Sequence, residues 1–439
     1  MSTPSATLDV VDLADVRRDS LAFLQTRAAA EPDGFTYRVA ATGQAHGERV
    51  HVLNHPAAVE RILRSDLRCF TKERTPDYYM LGPVLGDGLL TTSGQLWQRQ
   101  RRAMAPLFRS STVLAFDQLV VAAAKSTAQA WIDAGATPVR RDHDLSTLTL
   151  AVLVGALLGP DHAQIGPGFG AAVDDINHYL AAFSGGPIAE DGSVETVQRN
   201  FVGAVRLIRG ISAALLEAFR LDRESTALLT GLSERTDLGS MVDQVVTLVM
   251  AGHETTAKVM CWGLILLARD PDLQDRLRQE VQQVADGRDL AAGDLPDLPL
   301  TEAFVHETMR LYPPIWLMSR RALESMSFGD IRVEAEDLVC VSAWLLHRDG
   351  RWWDEPGVCR PERFLDARPV PFSYLPFGGG ERICIGQHLA MMEAVLAIGT
   401  LLQHCQFDSD APLPAPEALV TLRPGDGAVL GVTPVGVAS

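Results

Sequence analysis

Apolar and polar residues alternate in two stretches near the N-terminus, Phe35-Thr-Tyr-Arg-Val39 and Arg49-Val-His-Val-Leu53. A period of two marks half-buried strands, and the pair predicts a β-hairpin over residues 35–53. Pro56 then opens a short helix, proline being tolerated in the first turn. From about 115 to 270 the period lengthens to that of a helix, broken at the Gly/Pro-rich stretches Gly159–Gly170 and Ser184–Gly192. The segment from about Gly239 to Ala268 predicts the longest helix, roughly 45 Å at 1.5 Å per residue. It is apolar around so much of its circumference that it should run through the core. Asp270-Pro271 starts the next helix, which fades at Asp286-Gly287; Thr301 precedes another, stopped by Pro313-Pro314 because proline lacks a donor and clashes with the preceding turn. The C-terminal third reads as short strands, turns and a last helix from about Gly386 to Cys405. With no β-α-β alternation, the pattern describes a mainly α chain with small β-sheets, an α+β fold. With no repeat or low-complexity linker, residues 1–439 are expected to form a single domain, with about residues 1–10 disordered.

Composition narrows the class. A chain of 439 residues buries enough surface to be stable without disulfides, and its six cysteines include no C-x-x-C pair. Scattered thiols fit a reducing compartment. The N-terminus Met1-Ser-Thr-Pro-Ser-Ala-Thr-Leu8 has neither a basic start nor an apolar core, so no secretory signal is expected. The apolar stretch Val242–Ala268 is interrupted by Asp243, His253, Glu254 and Lys258 and falls short of the roughly 18 apolar residues a spanning helix needs. The expectation is a cytoplasmic, soluble monomer without a membrane anchor. A net charge of −16 argues against nucleic acid as a partner. Arg99, Arg101, Arg102 and Arg109 crowd one short stretch, which is either a solvated face or a docking patch for an acidic partner.

The most informative segment is Phe377-Gly-Gly-Gly-Glu-Arg-Ile-Cys-Ile-Gly386. Consecutive glycines let the backbone turn tightly and approach something flat or bulky. Cys384 stands just before a helix, where free amides favour the thiolate. Gly386 leaves room beside it, and Arg382 is positioned to meet a carboxylate. A phosphate loop would need a Gly-Lys-Ser/Thr sequence and a dinucleotide loop G-x-G-x-x-G; neither is present. A buried structural cysteine in a glycine-rich turn is the plainer alternative, and the loop by itself leaves it open.

The segment resembles the haem-binding loop of the cytochrome P-450 family, F-G-x-G-x-R-x-C-x-G, and every specified position matches. The resemblance implies the family's fold, with a long central helix crossing the haem, and Cys384 as the axial thiolate of haem b (iron protoporphyrin IX). Such a ligand pushes electron density to the metal and favours O–O cleavage. Phe377, Gly378, Arg382 and Gly386 are then cofactor-binding.

Three further motifs agree with it. Ala251-Gly-His-Glu-Thr-Thr256 puts polar side chains inside the long apolar helix, which is unfavourable unless they are satisfied or used. Gly252 weakens the helix, and a Thr255 hydroxyl bonded one turn back could bend it and open room for a diatomic ligand and water. The stretch resembles the family's A-G-x-[D/E]-T-[T/S], whose acid–alcohol pair delivers protons during dioxygen activation; that implies catalytic roles for Glu254 and Thr255 and places Ala251 against the haem. A zinc-protease reading of His253-Glu254 fails because position 257 is Ala257. Glu307 and Arg310 lie three apart on one helix face. They resemble the family's E-x-x-R, and Arg360-Pro-Glu-Arg-Phe364 its P-x-R-F, which implies a buried structural cluster of Glu307, Arg310 and Arg363 holding the cysteine loop. Trp97 and Arg101, four apart, match the family's W-x-x-x-R for one haem propionate. In Ser319-Arg-Arg-Ala322, Arg320 matches the position for the other, with Arg321 as competitor. His347-Arg-Asp349 resembles a kinase catalytic loop, but Gly350 and Arg351 follow and no Asp-Phe-Gly occurs.

The resemblance implies a monooxygenase that inserts one atom of O2 into a hydrophobic small molecule of terpenoid, polyketide or fatty acyl type. The remaining length has no room for a flavin or iron–sulfur domain, so electrons are expected from a separate ferredoxin and ferredoxin reductase. Pocket residues implied by the family's segments are Tyr78 and Tyr79, Val246 and Met250, and Ile315, Trp316 and Leu317, within stretches that also take in Met80, Leu81 and Tyr179–Phe183. The alternatives are a peroxide-using haem-thiolate enzyme, which has no need of Glu254 and Thr255, and a non-catalytic haem sensor or carrier.

Overall fold

The structure is a computed structural model, described over residues 9–40, 47–159, 172–173, 175–176, 179–180, 194–221, 240–425 and 427–436. Of the segment expected to lack order, residues 1–8 lie outside this set. Strand β1 (Val10–Asp12) already pairs in parallel with β2 (Gly34–Ala40) through Val10 and Arg38. β2 forms the expected antiparallel hairpin with β3 (Glu48–Leu53), with Phe35 opposite Val52 and Tyr37 opposite Val50. These aromatic and β-branched pairs are buried, which sets the register. β4 (Phe70–Thr71) closes one edge of the same sheet, while β5 (Val139–Arg140) belongs elsewhere. β6 (Met318–Ala322), β7 (Met326–Phe328), β8 (Ile331–Val333) and β9 (Leu338–Val341) follow the last proline break. The main sheet has the order β1-β2-β3-β9-β6-β4. At the C-terminal end, β10 (Cys405–Asp408), β11 (Pro416–Ala418), β12 (Leu422–Pro424) and β13 (Val429–Pro434) build the sheets β10-β13-β5 and β11-β12.

Helices make up the rest of the core. α1 (Pro76–Leu85) and α2 (Gly94–Met104) precede α3 (Asp117–Ala134) and α4 (Asp142–Leu158). α5 (Val194–Leu221) follows; of the two predicted breaks, Gly159 is the one described residue. α6 (Met241–Leu267) is the predicted long helix, buried nearly all round between α4, α5, the helix Pro299–Leu311 and the last helix. A Cβ on Gly252 would stand 3.0 Å from Leu153, so this glycine lets α4 approach closely. α7 (Pro271–Ala285) is capped by the Asp270 carboxylate, which accepts from the Leu273 amide at 3.0 Å, and ends on Asp286 in the left-handed region. α8 (Pro299–Leu311) and α9 (Gln387–His404) complete the frame around α6.

The start of α8 differs from the reading that placed it after Thr301. Pro299 occupies the first turn, and Glu280 of α7 accepts from the Leu300 amide at 2.7 Å, the Thr301 amide at 2.8 Å and the Thr301 hydroxyl at 2.6 Å. A carboxylate thus satisfies free amides at the positive end of the helix and moves its start upstream. Glu280→Leu should leave two amides and a buried hydroxyl unpaired and cost about 2–3 kcal/mol. The expected result is a thermal midpoint several degrees below that of the parent, read by circular dichroism; an unchanged midpoint would show that water replaces the cap.

Candidate active site

The cysteine loop is held by its own backbone. The Cys384 amide donates to Phe377 O at 2.9 Å, Gly378 N to Leu375 O at 3.1 Å and Ile383 N to Gly380 O at 3.2 Å. Gly378 and Gly380 have φ of 73° and 66°, and a Cβ on Gly380 would fall 1.7 Å from Leu63 O. No side chain fits there, so the loop packs directly against the Arg61–Ser65 turn. Burial pushes the Cys384 thiol up, while the Gly386 amide and the Arg101 charge pull it down. A bound metal's charge would favour the thiolate form of a coordinating cysteine.

Cys384, in the loop, and Ala251, on α6, both border one cavity of about 380 Å³, and both are exposed. The same wall includes Trp97, Arg101, Arg320, Phe377, Gly378 and Arg382. Glu254 and Thr255 join it from α6. Gly386 is not on the wall; it acts through its amide on the sulfur. Of the substrate-pocket residues, Met250, Ile315 and Leu317 line the cavity. Tyr78, Tyr79, Val246 and Trp316 do not. On α1 the inward face is Asp77, Met80, Leu81, Val84 and Leu85, a helical spacing that turns Tyr79 outward and Tyr78 edge-on against it at 5.6 Å. Val246 points into the core, and Trp316 is turned aside by its indole N–H donating to Leu419 O at 2.9 Å. Leu180 lines the cavity, whereas neighbouring Tyr179 stacks on Phe201 at 3.8 Å; residues 181–183 lie outside the described set.

One side of the cavity is cationic. Strand alternation settles the competition between Arg320 and Arg321. Arg320 points to the cavity, while Arg321 pairs with Glu48 and donates to the carbonyls of Arg74 and Glu336. Arg382 donates to Thr92 O at 2.8 Å and lies 4.3 Å over the Trp97 ring. Lys72, which the sequence reading missed, donates to Leu90 O at 3.1 Å beside them. Burial, with Arg320 and Arg382 nearby, pushes its amine down to about 7; burial and Arg320 push Arg382 down to about 10. Asp77 is the carboxylate beside Arg320, Arg382 and Lys72, bonded by Ser319 at 2.8 Å, and Arg320 Nε is buried without a partner. A buried excess of positive charge with an unused donor fits a ligand carrying two carboxylates, as haem does. No motif marked Lys72; its side chain reaches the site because β4 pairs with β6.

The structural cluster forms around Glu307 and Arg310, neither of which has any exposure. Arg310 donates to Glu307 at 2.7 and 2.8 Å and to the carbonyls of His347, Pro356 and Val358. Glu307 also accepts from the Arg360 amide at 2.8 Å and Arg363 Nε at 3.2 Å. His347, dismissed above as part of a kinase-like motif, extends the cluster: its Nδ1 meets Arg310 O at 3.2 Å and its Nε2 accepts from the Leu375 amide at 2.8 Å. It therefore ties the cluster to the strand of chain entering the cysteine loop.

On α6 the Thr255 hydroxyl donates to Ala251 O at 2.9 Å, as expected, yet the helix runs unbroken through this point. Ala251 borders the cavity at this point. The Glu254 carboxylate accepts from the Thr421 hydroxyl at 3.0 Å.

Cys384, the cations Arg320, Arg382 and Lys72, and the Glu254–Thr255 pair of a core helix thus border one cavity, an arrangement that fits a haem-thiolate enzyme. The cytochrome P-450 family model matches residues 37–185 and 211–429, and the chain belongs to that family. Its enzymes are haem monooxygenases that bind hydrophobic substrates and draw electrons from external partners. Among similar proteins, cyclooctatin synthase of Streptomyces melanosporofaciens is 29% identical over 384 residues, covering 80% of this chain and 79% of its own length. The chloroplastic protein LUTEIN DEFICIENT 5 of Arabidopsis thaliana is 28% identical over 396 residues, covering 81% of this chain and 65% of its own length. Among the described residues no single helix is long and apolar enough to cross a membrane.

Two predictions follow from this geometry. Arg320→Leu and Lys72→Met should each lower haem retention, measured as haem absorbance per protein after gel filtration, with Arg320→Leu the larger loss; retention equal to the parent in both would remove the propionate assignment. Burial, with Arg348 and Arg310, holds the His347 imidazole down at about 3, whereas an unfolded histidine titrates near 6.5. The unfolded chain thus binds a proton that the folded chain refuses between these values. The stability contributed by neutral His347 is complete above about pH 6.5 and is lost as pH falls toward 3. Melting at about pH 7 and about pH 4.5 should show a smaller acid loss for His347→Gln, which keeps an acceptor but does not titrate. Equal losses would assign the acid sensitivity to other groups.

Proposed function

We propose that this enzyme oxidises an aliphatic, terpenoid-type substrate, with electrons from a ferredoxin and its reductase. The observation that carries the oxygenase reading is that Glu254 and Thr255 border the same cavity as Cys384. When bound, haem supplies the dioxygen activation and electron transfer. Cys384 would ligate it, Arg101, Arg320, Arg382 and Lys72 would hold its carboxylates, and Trp97 supports Arg382. Glu254 takes up and releases a proton at its carboxylate, and Thr255 hands it on through its hydroxyl.

Wall chemistry supports the substrate class. Among the described residues the rings on the wall are Trp97 and Phe377, both on the haem side; the remainder is dominated by Met80, Leu81, Leu85, Leu248, Ile315 and Leu317. Such a surface packs flexible or fused saturated carbon and offers no aromatic face for stacking. Two relatives are named for cyclooctatin and lutein, compounds of the terpenoid class. The exposed side chains of Arg99, Arg102 and Arg109 support docking of an acidic ferredoxin, and the scattered thiols support a cytoplasmic setting.

Titrating diterpene and carotenoid-type hydrocarbons into the ferric holoenzyme should displace water from the iron and shift its absorption, while fatty acids and aromatic probes give smaller shifts. A stronger response to fatty acids would overturn the substrate class. Thr255→Ala should divert electrons from product to peroxide by several-fold, and fully coupled turnover in that variant would refute its part in proton transfer.

A further inference from the structure

We propose that Thr421 is a positioning residue that sets the orientation of the Glu254 carboxylate. The proposal rests on the reading of Glu254 as the proton carrier. Among the described residues Thr421 is the hydrogen-bond donor to that carboxylate, with its hydroxyl 3.0 Å from Oε1. Thr255, the other half of the acid–alcohol pair, spends its hydroxyl on Ala251 O, so acid and alcohol are each engaged elsewhere and not with one another.

Thr421 is itself held in place. It sits in the turn between β11 and β12, 4% exposed, and both chain neighbourhoods are fastened. On one side Trp316 Nε1 donates to Leu419 O at 2.9 Å. On the other the Leu422 amide donates to Pro314 O at 2.9 Å, and Trp262 Nε1, from α6 itself, donates to Leu422 O at 3.3 Å. Trp262 is in turn stacked on Tyr312 with ring centres 3.7 Å apart. The residue left between these anchors, Val420, lines the cavity with an apolar side chain next to Thr421 in the chain. The fastened hairpin therefore holds the Thr421 hydroxyl, and with it the Glu254 carboxylate, in one place on the cavity wall. The hydrogen bond is charge-assisted, which makes its loss readable.

The test compares Thr421→Val, which keeps the shape and removes the hydroxyl, with Thr421→Ser, which keeps the hydroxyl, each alone and with Glu254→Gln, all as holoenzyme. Two readouts are taken: product formed per electron consumed, and the C–O stretching frequency of carbon monoxide bound to the ferrous haem, which reports polar groups on the cavity wall without turnover. Thr421→Val should shift the stretch and lower coupling several-fold, Thr421→Ser should restore both, and Thr421→Val should add nothing in the Glu254→Gln background. A parental stretch and coupling in Thr421→Val, or the same loss with and without Glu254→Gln, overturns the proposal, since the residue then acts only as wall. If Glu254→Gln alone leaves coupling unchanged, the proton-carrier reading fails, and the positioning role stands or falls on the stretch shift. Should Thr421→Val lose its haem, Thr421→Ala provides the same comparison.

Discussion

The ion pair between Glu307 and Arg310 is the constraint on which the site depends. Both side chains are sealed from water, so each must be fully satisfied within the protein, and each is. Arg310 places its donors on Glu307 and three backbone carbonyls, and Glu307 collects two arginines and an amide. Because those carbonyls belong to the chain between His347 and Val358, the pair fixes α8 and that long loop as one unit. Removing a single partner would strand a buried charge at a cost of about 3–5 kcal/mol, which is why the arrangement is all-or-none. His347 then carries this rigidity to Leu375, two residues before the loop that presents Cys384.

From that anchor the cavity acquires two opposed characters. Toward Arg320, Arg382 and Lys72 it is desolvated positive charge, which only an anion can settle. Toward α1, α6 and the Pro314–Met318 segment it is aliphatic, interrupted by the hydroxyls of α6 and the hairpin turn. Cys384 would ligate a bound haem, and Arg320, Arg382 and Lys72 would hold its carboxylates. Glu254 stands on the apolar side, and its bond to Thr421 is what keeps a carboxylate acceptable there.

Much of this was legible in the sequence because it is local. The hairpin over residues 35–53, the buried helix near 239–268 and the proline stop at Pro313 follow from periodicity and backbone sterics. The cysteine loop was legible for the same reason: Gly378 and Gly380 need positive φ, and Gly380 also meets a carbonyl that no side chain would clear. The motif spacings around Glu254, Glu307 and Trp97 were likewise properties of single helices.

What the tertiary structure decided is which side of an element faces the cavity and which remote group arrives there. The stretch Tyr78–Leu81 could be nominated from the chain, but the helix sends only Met80 and Leu81 of it inward, with Asp77, and turns Tyr78 and Tyr79 away. Two adjacent arginines could not be ranked until β6 alternated them, one to the cavity and one to Glu48. Lys72, His347 and Thr421 carried no signal of their own. Each acts across a long stretch of chain, through a strand pairing, a buried carbonyl or a hairpin turn. Such contacts depend on burial and on partners brought together by folding, and neither is written in residue type or spacing.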